Sequence, residues 1–300
     1  MAGKNKKGIG FYLLYGVLNL IAILPFGVLY FLSDILYVIV YYLVGYRRKV
    51  VRKNLINSFP RKKEKEILQI EKKFYRHLCD YSVETIKTLR ISDEEIRKRM
   101  VFKNPEIVYR LTKDGNSCLL SLGHYGNWEW VPSIGLYLLP EVEQGHVYKT
   151  LKSKAFDELF FKIRSRFNPK PIEMKSVYRT IIRNRNDGKA MVIGFLSDQR
   201  PKKQNNENWM TFLNQDTIVQ TGMERIAEQF GFAVVYLDIK KVKRGYYVGD
   251  FSVITADASN EEELAVTERY TRKLEETILH EPAYYLWSHN KWSRKKKQKA

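Results

Sequence analysis

From Gly8 to Ser33 the chain reads GIGFYLLYGVLNLIAILPFGVLYFLS, without one Asp, Glu, Lys or Arg. As a helix rising about 1.5 Å per residue, this run exceeds the roughly 30 Å of a bilayer's hydrocarbon core. Such a segment has to be covered by lipid or by protein, and an anchor that spans is the first expectation. Asp34 interrupts the run. Beyond it ILYVIVYYLVGY is apolar again, but at about a dozen residues it is too short to cross alone, so it is expected to lie shallow or pack inward. Lys4, Lys6 and Lys7 resemble the n-region of a secretory signal, yet the run is too long for one and lacks a small-residue cleavage site. Asn19, Pro25 and Asp34 also suit a pair of soluble core helices, or a segment dipping into one leaflet. Arg47, Arg48, Lys49, Arg52 and Lys53 follow at once, placed to meet anionic headgroups. Tyrosines at 12, 15, 30, 37, 41, 42 and 46 fit an interfacial belt or a core. Basic residues on both flanks leave the orientation unset.

Charge sets a second constraint. Lys and Arg number 52 against 33 Asp and Glu, a net charge of +19, so attraction to something anionic is expected: nucleic acid, anionic lipid or an acidic protein. The chain carries no helix-turn-helix, zinc-finger or RNA-recognition signature, and an uncharged N-terminal run has no role in binding nucleic acid. A non-catalytic basic membrane scaffold is a further alternative. Cys79 and Cys118 show neither CxxC nor metal-type spacing and read as reduced, buried thiols.

Residues 47–100 are charged and helical in pattern, with Ile67, Ile70, Phe74, Leu78, Tyr81 and Ile86 returning at helical spacing. From about Ser117 the texture changes. Short apolar runs SCLLSL, MVIGFLS, AVVYLDI and YYVGDFSVI alternate with helix-like stretches around 153–167, 174–186, 221–230 and 260–279. That alternation predicts an α/β domain with a central, mostly parallel sheet flanked by helices, and an antiparallel edge. The expected organisation is an anchoring or interfacial segment over 1–46, one domain over 47–292 and a basic tail over 293–300.

In such sheets function collects where a strand ends at its carboxyl side and turns into a helix. CLLSL followed by GHYGNWEW has that form. Residues five apart in one continuous helix differ by about 140°, so His124 and Glu129 can meet only if His124 lies in a loop before the helix. Gly123 and Gly126 make such a loop easy to form. A carboxylate bonded to a neutral imidazole fixes its tautomer and raises its basicity, which suits a general base for a hydroxyl. Spacing alone leaves open that His124 caps a helix while Glu129 pairs with a lysine. The spacing is not HExxH, and histidines 77, 146, 280 and 289 add no metal-ligand pattern. Trp128 and Trp130 suit either an acyl groove or core packing.

GHYGNWEW resembles the His-x4-Asp/Glu motif of the lysophospholipid acyltransferase superfamily, and the chain around it is similar to the late acyltransferases of lipid A biosynthesis. The same family order appears in YRRKVVRKNL leading to NSFP, in GHVYKTLKSKAFDELFFKIRSRF, in GFLSDQRPK, in TGMERIAEQFGFAVVYL and in YYLWSHNKWSRKK. Two positions depart from it: Lys149 and Asn290 stand where the family usually has arginine.

The resemblance implies a membrane-associated O-acyltransferase with His124 as base and Glu129 as its orienter. An acyl chain would pass from acyl carrier protein or acyl-CoA to a lipid hydroxyl, with no metal or redox cofactor. Lys149 is the candidate cation for the oxyanion or a phosphate. Arg164 is a candidate for phosphates, and Asp198 and Gln199 for organising the pocket or binding substrate. A lipid A precursor is the implied acceptor, an aminolipid or glycolipid the alternative. The implied location is the bacterial inner membrane with the catalytic domain toward the cytoplasm, on an anionic surface that also favours a basic protein.

Overall fold

The computed structural model describes residues 9–202, 208–294 and 296. Lys4, Lys6, Lys7 and most of the basic tail lie outside them. Among the described residues there are nine strands: β1 (Met100–Phe102), β2 (Cys118–Leu122), β3 (Glu143–Tyr148), β4 (Lys170–Glu173), β5 (Met191–Leu196), β6 (Trp209–Phe212), β7 (Gln215–Ile218), β8 (Ala233–Lys243) and β9 (Tyr246–Thr255). β6 and β7 form a separate hairpin. The other seven make one sheet in the order β1-β9-β8-β2-β5-β3-β4. Every neighbouring pair in it is parallel except β8 and β9, so the α/β class with a mostly parallel sheet is what the chain adopts. The antiparallel step lies one strand in from the edge, because β1 adds outside β9.

All five residues of β2 are buried, as expected of a central strand covered on both faces, which reads as an unbroken apolar run. Ser121, the polar member, donates its hydroxyl to the carbonyl of Val235 at 3.0 Å. The helices Lys154–Arg164, Val177–Asn186, Gly222–Phe230 and Ala265–His280 fall where the sequence pattern placed them. The lead-in resolves into helices Arg48–Ser58, Glu64–Lys87 and Asp93–Arg99. It shares one apolar core with the sheet, in which Leu55 and Phe74 belong to the same buried cluster as Val234 and Trp287.

The N-terminal run is where the structure departs from expectation. The helix Ile9–Ile23 ends before Pro25, and a new one runs Phe26–Val38 and continues as a π turn through Ile39–Leu43. Proline has no N–H for the preceding turn and its ring crowds that turn's carbonyls, so the break falls there. The helix runs on through Asp34, whose exposed carboxylate takes a fork of bonds from Arg244 at 2.7 and 3.1 Å. Among the described residues, the helix long and apolar enough to cross a membrane is Phe26–Leu43, and the helix before it, Ile9–Ile23, is shorter.

Candidate active site

β2 and β5 are parallel neighbours whose register pairs Leu122 with Leu196. His124 and Asp198 each lie two residues further on, past the carboxyl ends of these strands, so the register that pairs the leucines sets the two side chains beside each other. The Nδ1–H of His124 donates to Asp198 Oδ1 at 2.6 Å. The Gln199 side-chain amide donates to His124 Nε2 at 3.0 Å. These two partners assign the tautomer, leaving the lone pair on Nε2, the position a general base needs. The His124 side chain retains 12% exposure and that of Asp198 3%. Burial works to raise the Asp198 carboxyl, but the electrostatic pull of the His124 ring and its hydrogen bond, with the Lys291 ammonium adding to them, outweigh it and hold the group at about 2.

The loop carrying His124 is shaped by Gly126, at φ +60°, a conformation that carries little penalty only without a Cβ. A Cβ there would also stand 2.8 Å from Ile239 Cγ2. The loop pairs with the C-terminal segment: Gly126 donates to the carbonyl of Tyr284, and Leu286 to that of His124, both at 3.0 Å. Beneath it, His77 Nε2 bonds the carbonyl of Gly126 at 3.1 Å while Lys241 Nζ reaches His77 Nδ1 at 3.3 Å. Burial, and then Lys241, push the His77 imidazole well below its usual range.

The C-terminal element WSHNKW holds the strand-end residues Asp198 to Arg200. The Arg200 amide donates to His289 Nε2 at 3.1 Å, and Lys291 Nζ donates to the Asp198 carbonyl. Lys291 is buried, and loss of solvent, only partly offset by Asp198, brings its ammonium down to about 8. From the other side Asn54 donates to the carbonyls of Trp287 and His289 at 2.9 and 3.0 Å, and Arg47 to that of Ser288 at 2.9 Å. YRRKVVRKNL thus clamps WSHNKW, and WSHNKW in turn supports the Asp198 turn.

Glu129 is placed elsewhere. His124 does precede the helix, as the spacing required, and Glu129 lies in the first turn of the 3-10 helix Trp128–Leu136. Its carboxylate, however, takes the Arg164 guanidinium, with bonds of 2.9 and 3.2 Å from Nε and 2.5 Å from Nη2. The carboxylate expected against His124 is not bonded to it here; the one that is belongs to Asp198. The physical reason is that a carboxylate exposed by only 3% is best met by a planar two-pronged cation, and the helix Lys154–Arg164 delivers one. Burial works to lower the Arg164 group, but Glu129 outweighs it and raises it.

Lys149 is exposed just beyond β3, two strands from β2, with no hydrogen bond or ion pair among the described residues. The structure thus brings His124, Asp198 and Gln199 together, sets Glu129 with Arg164, and leaves Lys149 apart. Trp130 is core, its indole N–H held by Thr88 Oγ1 at 3.0 Å. Trp128 meets His124 edge-on at 5.2 Å and stacks on Tyr81 at 4.2 Å. With Phe74, Leu78, Tyr284 and Leu286 these two line an apolar crevice. Sequence reading missed His77, His289 and Lys291. Lys291 had a signal, being the basic residue of WSHNK, whereas nothing local marks His77.

A family model described as bacterial lipid A biosynthesis acyltransferase matches residues 5–294. A search of curated proteins returned no match. The chain belongs to the lipid A biosynthesis acyltransferase family, and the protein is an acyltransferase.

Proposed function

We propose that this acyltransferase moves a fatty acyl chain from the thioester of acyl carrier protein or coenzyme A to a hydroxyl of a lipid A precursor. It works at the bacterial inner membrane with its catalytic domain toward the cytoplasm. The observation that carries the mechanism is the bond from His124 to Asp198 at 2.6 Å. Asp198 holds the imidazole with Nε2 free of a proton, and the acceptor hydroxyl takes the place of the Gln199 amide against that nitrogen. As its oxygen attacks the thioester carbonyl, Nε2 takes the hydroxyl proton. The tetrahedral intermediate then collapses, the carbon–sulfur bond breaks, and the imidazolium returns the proton to the departing thiolate.

Arg164 supplies a cation for the oxyanion or for a phosphate of the acceptor. Glu129 engages its Nε and Nη2, so the Nη1 donors stay available in a position fixed before substrate arrives. The crevice of Phe74, Leu78, Tyr81 and Trp128 beside His124 suits the acyl chain next to the thioester. The basic surface favours acidic carrier protein and anionic lipid alike.

Purified protein given acyl carrier thioester and a lipid A precursor tests this by mass spectrometry. One acyl chain is gained by the precursor, and none with His124→Ala. Acylation of an aminolipid or glycolipid in place of the precursor would keep the chemistry and replace the acceptor.

A further inference from the structure

The helix Phe26–Val38 with its π continuation to Leu43 turns a ladder of polar groups inward, set among the buried Leu29 and Tyr37. Tyr30 donates to Glu84 at 3.0 Å, Ser33 to Asp80 at 2.8 Å and Tyr41 to Glu71 at 3.1 Å. Residues 30, 33 and 41 thus meet 84, 80 and 71 in antiparallel order along the helix Glu64–Lys87. Asp34 joins through Arg244, which also bonds Asp80 at 2.7 Å. At the Pro25 joint, Lys87 Nζ donates to the carbonyls of Ala22 and Leu24 at 2.9 and 2.8 Å, closing the end of the first helix. Arg90 donates to Asn19 at 3.0 Å. The second helix is thereby pinned along its length to the helix Glu64–Lys87, and the first is held at its C-terminal end by Lys87 and by Arg90 just past that helix.

The outward stripe is apolar and bare. Val28, Phe31, Leu32, Ile35, Val38, Ile39, Tyr42 and Leu43 are all exposed, Phe31 by 65% and Leu43 by 75%, and Leu13, Val17 and Leu20 continue the surface on the first helix. A contiguous apolar face of this kind is built to be covered. Cations rim it: Arg47 and Lys49 are exposed just past its end, Arg76 lies 5.1 Å over the Tyr37 ring, and Lys162 lies 4.7 Å over Tyr15. Two copies meeting face to face would oppose these like charges, whereas an anionic lipid surface complements them.

We infer that the two helices lie in the plane of an anionic phospholipid leaflet and do not cross it. A helix that spans a bilayer is surrounded by hydrocarbon. Standing this one upright would either break the ladder to Glu84, Asp80 and Glu71 or carry those carboxylates and their cations into the membrane. Lying flat, it keeps the ladder and buries the apolar stripe among the acyl chains. The inference deepens the membrane location proposed above and rests on it.

Cysteine accessibility tests it in inner-membrane vesicles, right-side-out and inverted, from cells making the full chain. Gly10→Cys, Gly27→Cys and Val44→Cys sample the two ends and the joint. A Cβ at either glycine meets nothing within 4 Å, and the native Cys79 and Cys118 are buried. Glu94→Cys, on the exposed side of the domain, is the reference. With a membrane-impermeant maleimide, no introduced thiol is expected to label in the vesicle orientation that hides Glu94→Cys. Labelling of any of the three in that orientation would overturn the inference, since one crossing or a hairpin puts at least one of them on the far side. A chain absent from the membrane fraction would instead remove the membrane location itself.

Discussion

His124 and Asp198 are separated by 74 positions in the chain yet joined by a 2.6 Å bond from Nδ1 to Oδ1. Each stands two residues past a member of the registered pair Leu122 and Leu196, so the sheet itself brings them together. The polar motif that draws attention in the sequence therefore supplies half of the dyad, and the other half comes from the next parallel strand.

Removing Glu129 should show the signature of a broken buried ion pair. Glu129→Ala leaves the Arg164 guanidinium, exposed by 23%, without its partner, and a loss of about 3–5 kcal/mol in unfolding free energy is expected. Glu129→Ala combined with Arg164→Met should recover part of that loss. A Glu129→Ala protein of wild-type stability would contradict the buried pairing.

Gln199 occupies the nitrogen that the acceptor must reach. In Gln199→Ala, diethyl pyrocarbonate is expected to modify His124 several-fold faster than in the parent, read by mass spectrometry of the peptide carrying it. Equal rates would mean that the amide does not shield Nε2.

Lys291 makes stability depend on pH in a defined direction. Its ammonium sits at about 8 in the fold against an ordinary 10.5, so between those values the unfolded chain binds more protons than the native one. Stability therefore gains from this residue as pH rises through the window, by about 3 kcal/mol at most, and the gain is absent below about 8. Lys291→Met should flatten the unfolding free energy between pH 8 and 10.5. A slope unchanged by the substitution would contradict the assignment.

Periodicity was enough for the architecture: the alternation of short apolar runs with helical patterns gave the mostly parallel sheet, and the unbroken apolar CLLSL gave its central strand. The site was half legible. His124 stood out, and Asp198 was noticed as the end of a strand, but its partner depends on which strands lie side by side, a non-local property with no trace in spacing. Nearness in sequence sets Glu129 beside His124, but its carboxylate meets Arg164, 35 residues on, whose geometry suits it better. Asp34 likewise has its partner far off in sequence, Arg244 lying 210 residues away.

The most direct test of the central claim is a double-mutant cycle on kcat for acyl transfer from carrier thioester to lipid A precursor. His124→Ala and Asp198→Ala should each lower kcat by about 10³-fold or more, and the double variant should fall no further than His124→Ala alone, because both changes disable one base. Losses that multiply, or an Asp198→Ala protein that keeps its kcat, would contradict the account.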